Sequence, residues 1–366
     1  MPSATPARPR TQKSAMFYGK HDIRIEQTEV PKPKEGECLV RVAWCGICGT
    51  AGPILCPTEK TAHPITGCTL PVCLGHEFSG IIEEVGPAVK GEWKVGDRVC
   101  IESVISCGKC YACQHGCSNA CATLGFVGIS GLGGGLSEYF SSPEQYLHKV
   151  PDHVSLKQAA MAEPLAVAIH AVKRSGFKRG ETALVVGAGA IGCFVTAVLQ
   201  AQGASLIIVS EPSSARRSKA SLAGAHHLLD PLSTNVVETC RSLTDGAGVD
   251  VAFEAAGVER GLKTALEAVR TRGTVLNVSV WSKPPAVELN TLVFGEKSIV
   301  GASCYRDDHP DVLNALSSGA INLDQFVTAT IPLDDLVDGG FKELLHNNEN
   351  HVKILVSPSG NLNQPF

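Results

Sequence analysis

Thr182-Ala-Leu-Val-Val-Gly187-Ala-Gly189-Ala-Ile191-Gly192 is an apolar run that opens onto three glycines at G-x-G-x-x-G spacing. The five residues Thr182–Val186 predict a strand, the glycines a tight turn, and Ile191–Gln202 a helix. Thr182 to Gln200 carries no charge, so the stretch also resembles a membrane span in hydropathy. Its glycines and strand-like start fit a buried strand-turn-helix unit better. In such a unit Gly187 permits the turn, Gly189 lets a pyrophosphate approach the helix N-terminus, and Gly192 lets the helix pack on the sheet. The next predicted strand, Leu206–Ser210, ends on Glu211. A carboxylate there accepts hydrogen bonds from both ribose hydroxyls and repels a 2′-phosphate, which favours NAD over NADP. Arg216 and Arg217 are the counter-signal: either can meet a phosphate, or both can lie on a solvated helix face. The candidate cofactor-binding residues are thus Gly187, Gly189, Ile191, Gly192, Glu211 and Arg216.

Outward from this unit, strands and helices alternate. Val249–Glu254, Thr274–Val280 and Ser298–Ala302 are further strand candidates, and Ser213–Leu222 and Gly261–Val269 further helices. The alternation predicts a doubly wound parallel sheet. Upstream, short strands such as Cys38–Ala43, Phe78–Val85 and Asp97–Glu102 are broken by Gly and Pro, an all-β pattern. Ser155 is an N-cap candidate for Leu156–Ala162. Pro164 then interrupts, so Glu163 falls at a helix break, and a second helix ends at Gly176. Beyond Tyr305 one helix (Asp311–Ser317) and one strand (Val352–Val356) return to the first domain.

The chain has 366 residues, net charge −4 and 44% apolar residues, the composition of a soluble two-domain protein. No basic stripe argues for nucleic acid or an anionic membrane. Met1–Ala15 is expected to be a disordered tail. The 15 cysteines are scattered through apolar runs, as in a reduced cytoplasmic protein.

Four of them form Cys107-x-x-Cys110-x-x-Cys113-x7-Cys121, the ligand set of a closed tetrahedral zinc site. Cys117 lies in the long gap and competes with Cys121 for the fourth corner. A second set is spread along the chain: Cys48 in Cys45-Gly-Ile-Cys48-Gly-Thr50, His76-Glu77, and Glu163. One thiolate, one imidazole and a carboxylate are what a catalytic zinc with an open position requires.

These motifs, with Gly-Phe-Val-Gly128, Glu163-Pro-Leu and Val-Lys-Ile-Leu-Val356, resemble the zinc-dependent medium-chain dehydrogenases of the sorbitol/2,3-butanediol dehydrogenase branch. The resemblance covers nearly the whole chain after the tail. It implies a GroES-like β-rich catalytic domain (residues 16–164 and 303–366) and a Rossmann NAD-binding domain (165–302). It implies Cys48, His76, Glu77 and Glu163 around a catalytic zinc, with the two carboxylates sharing or alternating. It implies Thr50 as the hydroxyl that accepts the substrate proton, and Cys107, Cys110, Cys113 and Cys121 around a structural zinc, with Cys117 a non-ligand. The implied activity is hydride transfer between NAD(H) and a secondary alcohol or ketone of diol, acyloin or polyol type, in a cytoplasmic homodimer or homotetramer.

The chain departs from the family at one place. The family has Asp, one residue, then His after Gly-Thr; here stand Ala51-Gly52-Pro53. The lost Asp braces the zinc-binding imidazole, and such losses weaken metal binding or activity about 10–100-fold. The lost His carries the proton outward, and His63 is a chemical substitute. The expectation is an active enzyme, because Cys48, Thr50, His76, Glu77 and Glu163 all survive. The competing readings are a weakened or absent catalytic zinc, leaving a metal-independent NAD(P)H reductase or a non-catalytic NAD-binding protein, and a sequence shortened at an exon boundary.

Overall fold

The computed structural model describes residues 9–49, 58 and 60–363. The β-rich part begins with strands β1 (Thr11–Gly19), β2 (Asp22–Glu29), β3 (Glu37–Gly46), β4 (Val72–Cys73), β5 (Glu77–Val85) and β6 (Arg98–Ile101). It continues with β7 (Val104–Ile105), helix α1 (Tyr111–Gln114), β8 (Gly125–Phe126), β9 (Tyr139–Pro143) and β10 (Leu147–Lys149). Helices α2 (Leu156–Ala160) and α3 (Ala162–Ser175) lead into the parallel part. There β11 (Thr182–Val186), α4 (Ala190–Gln202), β12 (Leu206–Ser210), α5 (Ser214–Leu222), β13 (His227–Leu229), α6 (Val236–Ser242), β14 (Val249–Glu254), α7 (Glu259–Ala268), β15 (Val269–Asn277), α8 (Leu289–Gly295) and β16 (Ser298–Gly301) follow in order. Helix α9 (His309–Ser317) and strands β17 (Val327–Pro332) and β18 (Lys353–Ser357) close the chain.

The parallel sheet runs β13-β12-β11-β14-β15-β16. Strand order reverses between β11 and β14, and sheets of this kind bind ligands beyond the carboxyl ends of the strands at that point. The expected strands Thr182–Val186, Leu206–Ser210 and Val249–Glu254 form as read. Gly187 has φ +93°, and a Cβ at Gly192 would stand 1.9 Å from the Gly187 carbonyl oxygen, so neither position accepts a side chain. Uncharged α4 is buried along one face and packs on α3.

In the second large sheet, order β10-β6-β5-β3-β18-β17, β18 lies between β3 and the edge strand β17. The returning segment thus completes the β-rich core, as expected. The expectation of a disordered stretch through Ala15 is not met: Thr11–Gly19 pairs with β2 and β4, and Ala15 is fully buried. Gln12 is also tied in, its Oε1 accepting the Tyr139 N–H at 2.6 Å. The helix break lies at Met161 rather than at Pro164. Pro164 sits in the first turn of α3, where a missing N–H costs nothing. Ser155 does cap α2, and Gly176 ends α3 in the left-handed region. The domain boundary expected at residue 165 falls inside α3. Among the described residues no helix is long and apolar enough to cross a membrane, and no cysteine forms a disulfide.

Candidate active site and metal centres

The thiols of Cys107, Cys110, Cys113 and Cys121 lie within 4.8 Å of one another. Tight turns aim them inward: the Cys110 N–H points at Cys107 Sγ (3.3 Å) and the Cys107 N–H at Cys121 Sγ (3.3 Å). The N–H groups of Lys109 and Cys110 hold the Cys107 thiol down to about 6. Four thiols, one already favoured as thiolate, are a donor set that fits zinc. Cys117 is exposed and turned away, with its sulfur 3.7 Å from the His115 carbonyl and 3.8 Å from Arg306. The loop also grips the chain where it leaves the parallel sheet: Asn119 donates to the Ser303 carbonyl (2.8 Å) and meets His170 Nε2 (3.2 Å).

A second cluster gathers Cys48, His76 and Glu77, again within 4.8 Å. Cys48 follows β3, and Glu77 begins β5, so antiparallel pairing of Gly46 with Glu77 joins the two motifs. His76 is held through its carbonyl, which accepts the Ser103 hydroxyl at 2.5 Å. Glu163, on the first turn of α3, is buried beside this cluster but its carboxylate is not one of the three clustered donors. Burial, then the neighbouring charges of Glu77 and Cys48, push its carboxyl up to about 8 despite the opposing pull of His76. Thiol, imidazole and carboxylate with a second buried carboxyl nearby fit a zinc ion, whose charge relieves that crowding. Cys304 and Tyr305, just beyond β16, also interact electrostatically with Glu163, so the cluster faces the carboxyl end of the parallel sheet.

One residue of this corner had no role assigned from sequence. Lys353, on β18, is almost fully buried, and its Nζ lies 2.6 and 2.9 Å from the two Glu77 oxygens and 3.2 Å from the Ile47 carbonyl. Burial alone lowers a lysine, but Glu77 and Cys48 outweigh it and raise Lys353 above its ordinary value. The only sequence signal was a lysine inside the apolar run Val352–Val356, where an unpaired charge is costly.

Thr50 and the departure at Ala51-Gly52-Pro53 lie outside the described residues. His63 does not join the cluster: its Nε2 meets the Leu124 carbonyl at 3.3 Å and its Nδ1 faces the N–H groups of Ile65 and Thr66.

Beyond β12, Glu211 Oε2 accepts the Ala188 N–H (2.8 Å) and Oε1 the Ser213 N–H (2.9 Å). The carboxylate is thereby fixed at the lip of the glycine turn. A Cβ at Gly189 would meet nothing within 4 Å, which leaves open space for a dinucleotide phosphate against the turn. Ile191 lies in the first turn of α4, half-buried. Arg216 is engaged elsewhere than at the glycine turn. Its guanidinium donates to the carbonyls of Asn348 (2.6 Å) and His351 (3.2 Å), tying α5 to the C-terminal segment.

Comparison with known proteins agrees with this geometry. Residues 34–152 match the alcohol dehydrogenase GroES-like domain and residues 190–318 the zinc-binding dehydrogenase domain. The chain is 42% identical to (R,R)-butanediol dehydrogenase of Neisseria gonorrhoeae, over 95% of this chain and 99% of that one. It belongs to the zinc-dependent medium-chain dehydrogenases. Within that family it falls in the sorbitol/butanediol branch, being 31% identical to a Bacillus subtilis sorbitol dehydrogenase over 96% of this chain and 98% of that one. The crystal structure of 2R,3R-butanediol dehydrogenase from Bacillus subtilis superposes with a TM-score of 0.88 at 41% identity, covering 95% of this chain and 99% of the other. The chain is accordingly an oxidoreductase of the alcohol dehydrogenase type, with zinc and NAD(H) as cofactors.

Proposed function

We propose that this dehydrogenase interconverts a vicinal diol and the corresponding acyloin, with NAD(H) as the redox partner. The observation that carries the reading is the Cys48–His76–Glu77 cluster, set toward the carboxyl end of a parallel sheet, in a chain so similar to butanediol dehydrogenases. Cys48 and His76 would hold the catalytic ion, with Glu77 or Glu163 as the carboxylate. Bound zinc supplies a Lewis acid for the substrate oxygen, and the nicotinamide supplies or accepts the hydride. The chain's own part is positional. Lys353 pairs with Glu77 and orients it, Ser103 fixes the backbone of His76, and Glu211 receives the ribose hydroxyls. Thr50 is the proposed proton acceptor. Cys107, Cys110, Cys113 and Cys121 are the proposed structural zinc ligands.

The test is NADH formation with the stereoisomers of 2,3-butanediol, with acetoin and with sorbitol, alongside elemental analysis of protein purified without added metal. The expected result is two zinc ions per chain and turnover favouring one diol stereoisomer. Bound NAD without turnover on any of these compounds overturns the reading.

We further infer a homodimer that pairs through β16. This strand is the edge of the parallel sheet, and beside it Leu289, Val293 and Phe294 are 64, 67 and 85% exposed. Light scattering on wild type and Phe294→Glu tests it, with a monomeric wild type as the contrary result. Buried unpaired thiols such as Cys100, Cys193 and Cys240 support work in a reducing cytoplasm.

A further inference from the structure

We propose that Glu102, His148 and His309 form a binding site for one divalent transition-metal ion, distinct from the cysteine loop and from the Cys48 cluster. The three side chains come from separate elements: Glu102 just after β6, His148 in β10, and His309 as the first residue of α9. Their donor atoms lie within 4.8 Å of one another. His148 Nε2 is 2.8 Å from Glu102 Oε2, and His309 Nδ1 is 3.9 Å from the same oxygen. Two imidazoles and a carboxylate with no thiolate suit Zn2+, Ni2+ or Co2+.

The second observation is His309 itself. Its ring is fully buried and neither nitrogen makes a hydrogen bond of normal geometry, although the Ile101 carbonyl pulls weakly on it. Among the described residues only Trp44 Nε1 shares that condition. Buried polar atoms are ordinarily satisfied, and an orphan calls for an explanation such as an ion. Burial also pushes His309 down to about 3, so at neutral pH it is an uncharged imidazole with a lone pair to offer. Tyr305 packs edge-on against it at 5.1 Å and holds it in place.

The rings of His148 and His309 are stacked, 4.5 Å between centroids and 13° apart. Stacking brings both ring edges to the side where Glu102 stands. A metal ion lies in the plane of each imidazole, so loading requires the rings to tilt apart. His148 is 21% exposed and Glu102 22%, which leaves the movable partner and the carboxylate open to solvent while His309 stays fixed. The ion replaces the hydrogen bond between His148 Nε2 and Glu102, and the ring's single proton then sits on Nδ1.

The test is calorimetric titration of Ni2+ into the zinc-loaded enzyme, for wild type, His148→Gln, His309→Phe and Cys117→Ser. The expected result is one saturable equivalent in wild type and in Cys117→Ser, weakened at least tenfold in both histidine variants. Should the buried His309→Phe substitution unfold the chain, His148→Gln at its partly exposed strand position decides alone. No saturable uptake by wild type, or uptake that His148→Gln leaves intact, overturns the proposal, as does loss of uptake in Cys117→Ser alone. Turnover is not the readout, so the result is independent of the substrate assignment.

Discussion

Lys353 Nζ and the Glu77 carboxylate meet at 2.6 and 2.9 Å, with side chains only 3 and 2% exposed. A charge pair so deeply buried is a poor source of net stability, but losing one member leaves the other stranded. Lys353→Met is expected to cost about 3–5 kcal/mol in urea unfolding. Adding Glu77→Gln to it should recover most of that loss, since no charge then remains unpaired. A single variant as stable as wild type would refute the pairing.

The cysteine loop discriminates between two neighbours. Cys121 points into the cluster, while Cys117 is exposed. Cys121→Ser is expected to lose one zinc ion and to lower the melting temperature, and Cys117→Ser to change neither. Elemental analysis and a thermal scan of the two proteins read this directly. The opposite pattern exchanges the ligand assignment.

Glu211 and Arg216 separate in the same way. Glu211→Ala removes the acceptor at the lip of the glycine turn, and NAD is expected to bind about 10–100-fold more weakly, the worth of hydrogen bonds to a charged group. Arg216→Ala should leave cofactor affinity unchanged and lower stability instead, because its bonds go to Asn348 and His351. Fluorescence titration with NADH measures both.

His309 makes stability depend on pH. Its folded value is about 3 because burial disfavours the charged ring, with an unfolded value near 6.5. Between these values the unfolded chain binds a proton that the folded one refuses. The contribution is therefore intact above pH 6.5 and falls by about 1.4 kcal/mol per pH unit as pH drops toward 3. Denaturation curves from pH 7 to 4 should show a shallower decline in His309→Phe than in wild type. Parallel declines count against it.

The parallel sheet was legible in the sequence because strand, turn and helix there are set by local pattern: Thr182–Val186, Leu206–Ser210 and Val249–Glu254 form at the bounds read. The short His227–Leu229 strand was not, since two of its three residues are exposed and no apolar alternation marks it. The cysteine-loop residues stood out through their local spacing, and Cys48, His76 and Glu77 through the family resemblance; the fold gathers each set. Lys353 and the Glu102–His148–His309 group did not stand out, because each depends on elements far apart in sequence being folded together. The Arg216 contacts were hidden for the same reason: its carbonyl partners lie more than a hundred residues downstream.

Strand β18 has a consequence for how the protein is made. It sits between β3 and the edge strand β17 and brings the counter-charge for Glu77. During synthesis, a nascent chain that has not yet released residue 353 holds every clustered donor but has a carboxylate with no balancing cation and a gap in the sheet behind it. Completion of the reactive corner therefore waits on a strand 276 residues beyond Glu77. A chain truncated before β18 is left without the counter-charge for Glu77 and without the strand that flanks β3.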